Sequence, residues 1–175
     1  MCRSIEDMHF SVHLNGALFY FIRKGEVSIM TVCTLLGDRD TPDSMWKNIE
    51  AAVTLMIRNF NVDFFYIGHE GSFDEMAETI LFNLCSEYPH VGYNVVLSVS
   101  SDTHFSPLEI YEKNLCPFFR HKDSSKEVVL KELNRWMIDE ADYILIHTKS
   151  PLSDVSELRK YARRKNKTII PLCCE

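Results

Sequence analysis

From residue 30 onward, hydrophobic and polar positions switch regularly between two periods. Short, nearly continuous apolar runs occur at Thr31–Leu36, Val62–Ile67, Tyr93–Val99, Tyr143–His147 and Thr168–Leu172. Runs of that length without alternation mark strands covered on both faces. Between them, apolar residues recur every three or four positions. Met45, Ile49, Ala52, Val53, Met56, Ile57 and Phe60 share one helical face, and Met76, Ala77, Ile80, Leu81 and Leu84 share another. Leu130, Leu133, Met137 and Ala141 mark a third helix, and Ser150 to about Arg164 a fourth. Strands alternating with helices of this length predict a parallel sheet with right-handed crossovers. The expected fold class is α/β: a Rossmann-like, doubly wound, mainly parallel five-stranded sheet with helices on both faces.

Local signals agree with this division. Thr41-Pro42 offers an N-cap and a proline at the first helical position. Ser72 with Glu75, and Ser124 with Glu127, have capping-box spacing, and Ser150-Pro151 is read as the start of the last helix. The stretch from Ser100 to about Asp123 has no clear period despite Phe105, Leu108, Ile110, Tyr111, Phe118 and Phe119. A long aperiodic stretch in a compact domain is expected to be a binding loop or lid.

Residues 1–29 follow another pattern and are set apart from a single Rossmann-like domain over 30–175. Phe10–Leu14 and Ala17–Ile22 flank Asn15-Gly16, a strong hairpin signal. A competing reading makes this segment an over-called extension. Lys24-Gly25-Glu26 is what a purine-rich ribosome-binding sequence would encode, and Met30 follows as an alternative start. Intact mass of the natively expressed protein separates the two.

The formal charge of −6 and the pI near 5.6 argue against a duplex nucleic-acid partner, which needs a basic face. The basic run Arg159–Lys165 reads instead as a solvated helix end with cations at the negative end of the dipole. The six cysteines lack zinc-ligand spacing, with Cys33 and Cys85 expected as small core residues. This usage suits a reducing cytoplasm, and no run reaches the ~20 apolar residues of a membrane span.

Chemistry concentrates at two strand-to-helix junctions, Leu35-Leu36-Gly37-Asp38-Arg39-Asp40-Thr41-Pro42 and Tyr66-Ile67-Gly68-His69-Glu70-Gly71-Ser72-Phe73-Asp74. Glycine at such a junction lets backbone N–H groups approach an anion at the positive end of a helix. In a doubly wound sheet both junctions fall at the carboxyl edge, where ligands bind. Arg39 can hold a phosphate or carboxylate bidentately, or pair with Asp38, Asp40 or Asp43. Asp74 and Glu75 lie in a first helical turn, where carboxylates already satisfy the dipole. Asp74 therefore suits ribose hydroxyls better than a bare phosphate, and Glu70 and Asp74 are the candidate acid–base residues. His69, His104 and His147 fall at or beyond three strand ends, but strands ~4.8 Å apart make convergence on a metal hard, and none is expected. Asn134 and Asp142 are read as organising a helix–strand junction, with Asn134 also a candidate ligand contact. Trp46 and Trp136 are read as core.

These two junctions, with Asn134-Arg135-Trp136-Met137-Ile138-Asp139-Glu140-Ala141-Asp142 before the fourth strand, resemble the SLOG superfamily of Rossmann-like proteins. Within it the chain is most similar to the YpsA-like bacterial branch of unassigned activity. The resemblance covers Met30 to about Leu172. The sequence departs from the pattern twice: Leu133 stands where an arginine is common, and Lys149-Ser150-Pro151-Leu152-Ser153 replaces a glycine pair after the fourth strand. Proline has no N–H to donate and leucine blocks backbone approach, so only Lys149, Ser150 and Ser153 remain as side-chain contacts there.

The resemblance implies binding or sensing of a nucleotide-derived ligand with no required cofactor, and a homodimer. The expected ligand-binding residues are Gly37, Asp38, Arg39, Gly68, His69, Glu70, Gly71, Ser72, Phe73, Asp74, Asn134, Lys149, Ser150 and Ser153. One alternative is N-glycosidic cleavage or transfer on a nucleoside or nucleotide through Glu70 or Asp74. Another, motivated by Leu133 and Pro151, is a degenerate scaffold acting through protein contacts.

Overall fold

The computed structural model describes residues 9–11, 20–23, 26–97, 114–115 and 125–172. Three strands near the N-terminus, β1 (His9–Ser11), β2 (Tyr20–Arg23) and β3 (Glu26–Ile29), form an antiparallel sheet in the order β1-β2-β3. β1 pairs with β2 in the register His9↔Ile22, Phe10↔Phe21, Ser11↔Tyr20. The Asn15-Gly16 turn expected from the sequence lies outside the described residues.

The rest is the α/β layer structure. In chain order it comprises β4 (Val32–Gly37), α1 (Trp46–Asn59), β5 (Phe64–Ile67), α2 (Ser72–Glu87), β6 (Gly92–Val96), β7 (Asn114–Leu115), α3 (Lys126–Glu140), β8 (Tyr143–His147), α4 (Asp154–Arg164) and β9 (Thr168–Pro171). The strands form one parallel sheet in the order β7-β6-β5-β4-β8-β9. The five expected strands are present, and the two-residue β7 adds a sixth at one edge. β7 falls inside the aperiodic stretch 100–123, whose remaining residues, including His104, lie outside the described ones.

Side-chain alternation divides the core in two. Cys33, Leu35, Phe65, Ile67, Val95 and Leu145 join the apolar faces of α1 and α2. Their strand neighbours Val32, Leu36, Phe64, Tyr66, Ile144 and Ile146 join those of α3 and α4 on the opposite side. The central strands β4, β5 and β8 are thus covered on both faces, which is why their sequences do not alternate. Ile49, Val53 and Met56 are fully buried, at about 1.5–3 kcal/mol apiece from burial. Trp46 and Trp136 sit partly buried at the core margins, Trp136 against Tyr66.

Helix starts differ from expectation, and in each case hydrogen bonding gives the reason. Thr41 does not cap α1. Its hydroxyl donates to the Asp38 carbonyl at 2.6 Å, closing a turn, and a 3-10 turn over Asp43–Met45 precedes the helix. α4 begins at Asp154 rather than Ser150, because Ser153 is its N-cap and accepts the Ser156 N–H at 3.2 Å. The Ser72–Glu75 capping box is absent: Ser72 is the first residue of α2, and its hydroxyl is shared between the carbonyls of Arg39 (2.8 Å) and Thr41 (2.7 Å). Ser125 is the N-cap of α3, and Ser124 lies outside the described residues.

Asp142 works at the edge of the sheet away from the glycine junctions. Its carboxylate accepts the Val32 N–H at 2.9 Å, and its own N–H donates to the Val32 carbonyl at 2.8 Å. Among the described residues, no helix is long and apolar enough to cross a membrane.

Candidate functional site

The chain leaves β4 toward β5, β6 and β7 on one side, then crosses back to lay β8 and β9 on the other. The crevice between β4 and β8 at their carboxyl ends is therefore the topological switch point, where two loops diverge and leave a gap. A cleft of about 710 Å³ opens there. Its lining comes from the loops after β4, β5 and β8, from Val96, and from the N-terminal halves of α3 and α4. Of the residues expected at the site, Gly37, Asp38, Arg39, Gly68, His69, Glu70, Asp74, Asn134, Lys149, Ser150 and Ser153 line it together.

Gly71, Ser72 and Phe73 do not line it; they hold its wall. A Cβ on Gly71 would lie 2.6 Å from the Arg39 Cα, so glycine lets α2 start directly against the β4 loop. The Ser72 N–H donates to the Arg39 carbonyl at 2.9 Å, reinforcing the bond from its hydroxyl. Phe73 is fully buried and stacks on the ring of His147, with 6.2 Å between centroids. Gly37 serves this packing too. The glycines are thus required by neighbouring protein atoms as much as by any ligand.

The junction after β5 and the loop after β8 each already hold a carboxylate of the protein. Asp74 accepts the Glu70 N–H at 2.9 Å and lies against Gly68, where a Cβ would be 2.9 Å from its Oδ2. Asp38, buried, accepts the Lys149 N–H at 2.8 Å and so ties the β4 loop to the β8 loop. A bare phosphate at these positions would meet these carboxylates.

Desolvation raises Asp74 from the usual carboxylate range to about 6, with the Glu70 N–H bond and the charges of His69 and Arg39 pulling the other way and Glu70 adding to the rise. A carboxyl group placed in a cleft with such a value can exchange protons near neutrality. Glu70 faces the first residue of α3, with an ion pair to Lys126 at 3.0 Å. Arg39 is exposed, and among the described residues no carboxylate pairs with its guanidinium. Its main chain is anchored by Ser72 while its side chain stays available to a ligand.

After β8, the polar groups turn inward on their own loop. The Thr148 hydroxyl lies 3.0 Å from the Ser150 carbonyl and 2.8 Å from the Ser153 hydroxyl. Ser150 accepts the Leu152 N–H at 3.2 Å, and Ser153 donates to the Ser150 carbonyl at 3.1 Å. Ser150 and Ser153 line the cleft with hydroxyls engaged within the loop, and Lys149 is exposed beside them.

Lining residues absent from the expected set include Asp40, Glu127, Val128, Lys131, Leu152 and Asp154. Walking back from Asn134 in helical steps of three and four reaches Lys131, Leu130 and Glu127. That periodicity would have found the α3 wall.

Several titratable groups outside the cleft have structural partners. In the basic run, Lys160 pairs with Glu157 at 2.6 Å and Lys165 with Asp139 at 3.1 Å. Lys167 donates to the Asp139 and Ala141 carbonyls at the end of α3, at 2.7 and 2.8 Å. Cys33 is buried and its thiol is pushed up by desolvation, and Cys85 is partly buried on α2. His147 is fully buried, and desolvation lowers its pKa. Among the described residues, no three His, Cys, Asp or Glu side chains are grouped to hold a metal ion.

No protein-family model matches this chain, and no curated protein matches it. Among solved structures, its fold is similar to that of DNA processing protein A (DprA) from Streptococcus pneumoniae. The TM-score is 0.58 at 10% sequence identity, over 81% of this chain and 50% of that one. The chain spans about half the length of that protein, and a likeness at this identity speaks for the Rossmann-like fold.

Proposed function

We propose that the cleft binds a nucleotide-derived ligand, in line with the SLOG-like, YpsA-like motifs of the sequence, and that the protein acts as a sensor or carrier of it. The observation that carries this reading is the joint placement of Arg39, Asp74, Asn134 and Lys149 around one crevice at the switch point. Doubly wound sheets hold nucleotides at this place. Asp74 accepts hydrogen bonds from ribose hydroxyls, and Arg39 forks onto a phosphate at the exposed rim. Calorimetry with mononucleotides, ADP-ribose, NAD and nucleosides tests it. Saturable binding weakened tenfold or more in Arg39→Ala supports the reading, and silence across the panel overturns it.

A second reading is favoured by the raised Asp74 alone. A carboxyl group poised near pH 6 can activate water or protonate a leaving base in N-glycosidic cleavage. Release of free base from the panel, abolished in Asp74→Asn with binding retained, would support hydrolysis.

A further inference from the structure

The cleft has two chemically different walls. Arg39, Asp40, His69, Glu70 and Asp74 come from the loops after β4 and β5. The facing wall, from α3, the β8 loop and α4, is mixed: beside polar groups that include Lys131, Asn134 and Lys149 it carries six aliphatics, Val128, Leu130, Leu133, Leu152, Val155 and Leu158. Four of these are buried, but Leu152 is 93% exposed and Val128 is 45% exposed. They are two of only four large hydrophobic residues in that state among the described residues, and they share one cleft. A single exposed leucine is ordinary; two exposed aliphatics continuous with a buried apolar lining mark a surface that a ligand covers.

The α4 end of this wall is also already capped and carries acidic residues. Its cap is supplied by Ser153, the loop hydroxyls bond within the loop, and Asp154 and Glu157 occupy the first helical turn. Carboxylates there neutralise the helix dipole and repel a phosphate. The two departures from the family pattern, Leu133 and Pro151-Leu152, fall on or beside this wall.

Resting on the proposed nucleotide reading, we infer that the ligand lies across the cleft in one orientation. Its sugar and any phosphate face Asp74 and Arg39, and an uncharged planar group, the base, is clamped between Leu152 and Val128 over Leu133 and Leu158. The ligand class is therefore a base-bearing nucleoside or nucleotide rather than a sugar phosphate.

The test titrates the full chain with AMP and with ribose 5-phosphate, which lacks the base. AMP binding at least tenfold tighter, with that preference reduced about tenfold in Leu152→Ser and in Val128→Ser, is the expected result. Both substitutions are at exposed positions, so circular dichroism should show the fold unchanged. Equal, Arg39-dependent affinity for the two compounds would overturn the orientation while leaving nucleotide-derived binding intact. An AMP preference unmoved by either substitution would overturn the clamp. Failure of both compounds to bind while another member of the nucleotide panel binds would overturn this inference alone, and silence across the whole panel would overturn the functional reading with it.

Discussion

The ring of Phe73 occupies the space that a side chain at position 37 would need: a Cβ on Gly37 would come within 2.0 Å of the Phe73 Cγ. β4 and α2 therefore meet through a glycine on one and an aromatic ring on the other. The contact fixes where the loop after β4 leaves the sheet, and hence where Arg39 stands.

Gly37→Ala should destabilise the protein by about 2–3 kcal/mol, because the buried ring has nowhere to retreat. Phe73→Ala should cost about 3–5 kcal/mol through the cavity it leaves. Combining Gly37→Ala with Phe73→Leu should cost less than the sum of the single changes. Urea denaturation of the parent, Gly37→Ala, Phe73→Leu and the double variant measures this, and strict additivity would show that the two residues are not coupled.

Asp74 makes stability depend on pH in an unusual direction for a carboxyl group. Its folded value of about 6 lies above the unfolded one, so the folded state holds the proton more tightly. The contribution of Asp74 is present below the unfolded value and is lost as pH rises through about 6. Its size is on the order of 2–3 kcal/mol. Asp74→Asn should be more stable than the parent at pH 8, and the difference should vanish near pH 4. His147, whose pKa burial lowers, contributes the opposite trend in both proteins and cancels in the comparison.

The same ionisation governs the ligand. A carboxylate accepts two ribose hydroxyls, whereas a carboxylic acid must donate at one oxygen. Affinity for a ribonucleoside, which has no phosphate to titrate in this range, should rise as pH increases through about 6 and be flat in Asp74→Asn. Calorimetry between pH 5 and 8 would show it.

Asp38 is a positioning residue, linking two loops 111 residues apart in sequence. Asp38→Ala leaves the Lys149 N–H without its acceptor and should cost about 1–3 kcal/mol. Asp38→Asn keeps an acceptor and should cost less. Thermal denaturation ranks the two, and equal losses would mean that the charge, not the hydrogen bond, matters.

Arg39→Ala should leave stability within about 0.5 kcal/mol of the parent, since the side chain is exposed and only its carbonyl is engaged. Its effect should appear in ligand affinity alone.

The order of the four helices and of every strand of the parallel sheet but the two-residue β7 was legible in the sequence because it rests on local periodicity. An unbroken apolar run such as Tyr143–His147 needs cover on two faces whatever surrounds it. The parallel sheet and its ligand edge follow from that alternation and the handedness of crossovers. The residues gathered at that edge were largely legible too, since any loop leaving a strand's carboxyl end reaches the same crevice.

What each residue does there was decided by tertiary contacts. Ser72 has capping-box spacing, yet the carbonyls of Arg39 and Thr41 compete successfully for its hydroxyl. Gly37 looks like a phosphate-loop glycine, yet Phe73 is what requires it. Asp74 fills a junction that the sequence alone leaves open to an anion, Asp38 ties the β4 loop to the β8 loop, and Leu133 and Leu152 line one cleft only after α3 and the β8 loop are brought together. Periodicity is a property of neighbours along the chain. Hydrogen-bond partners and cleft walls are set by residues that become neighbours only when the sheet assembles.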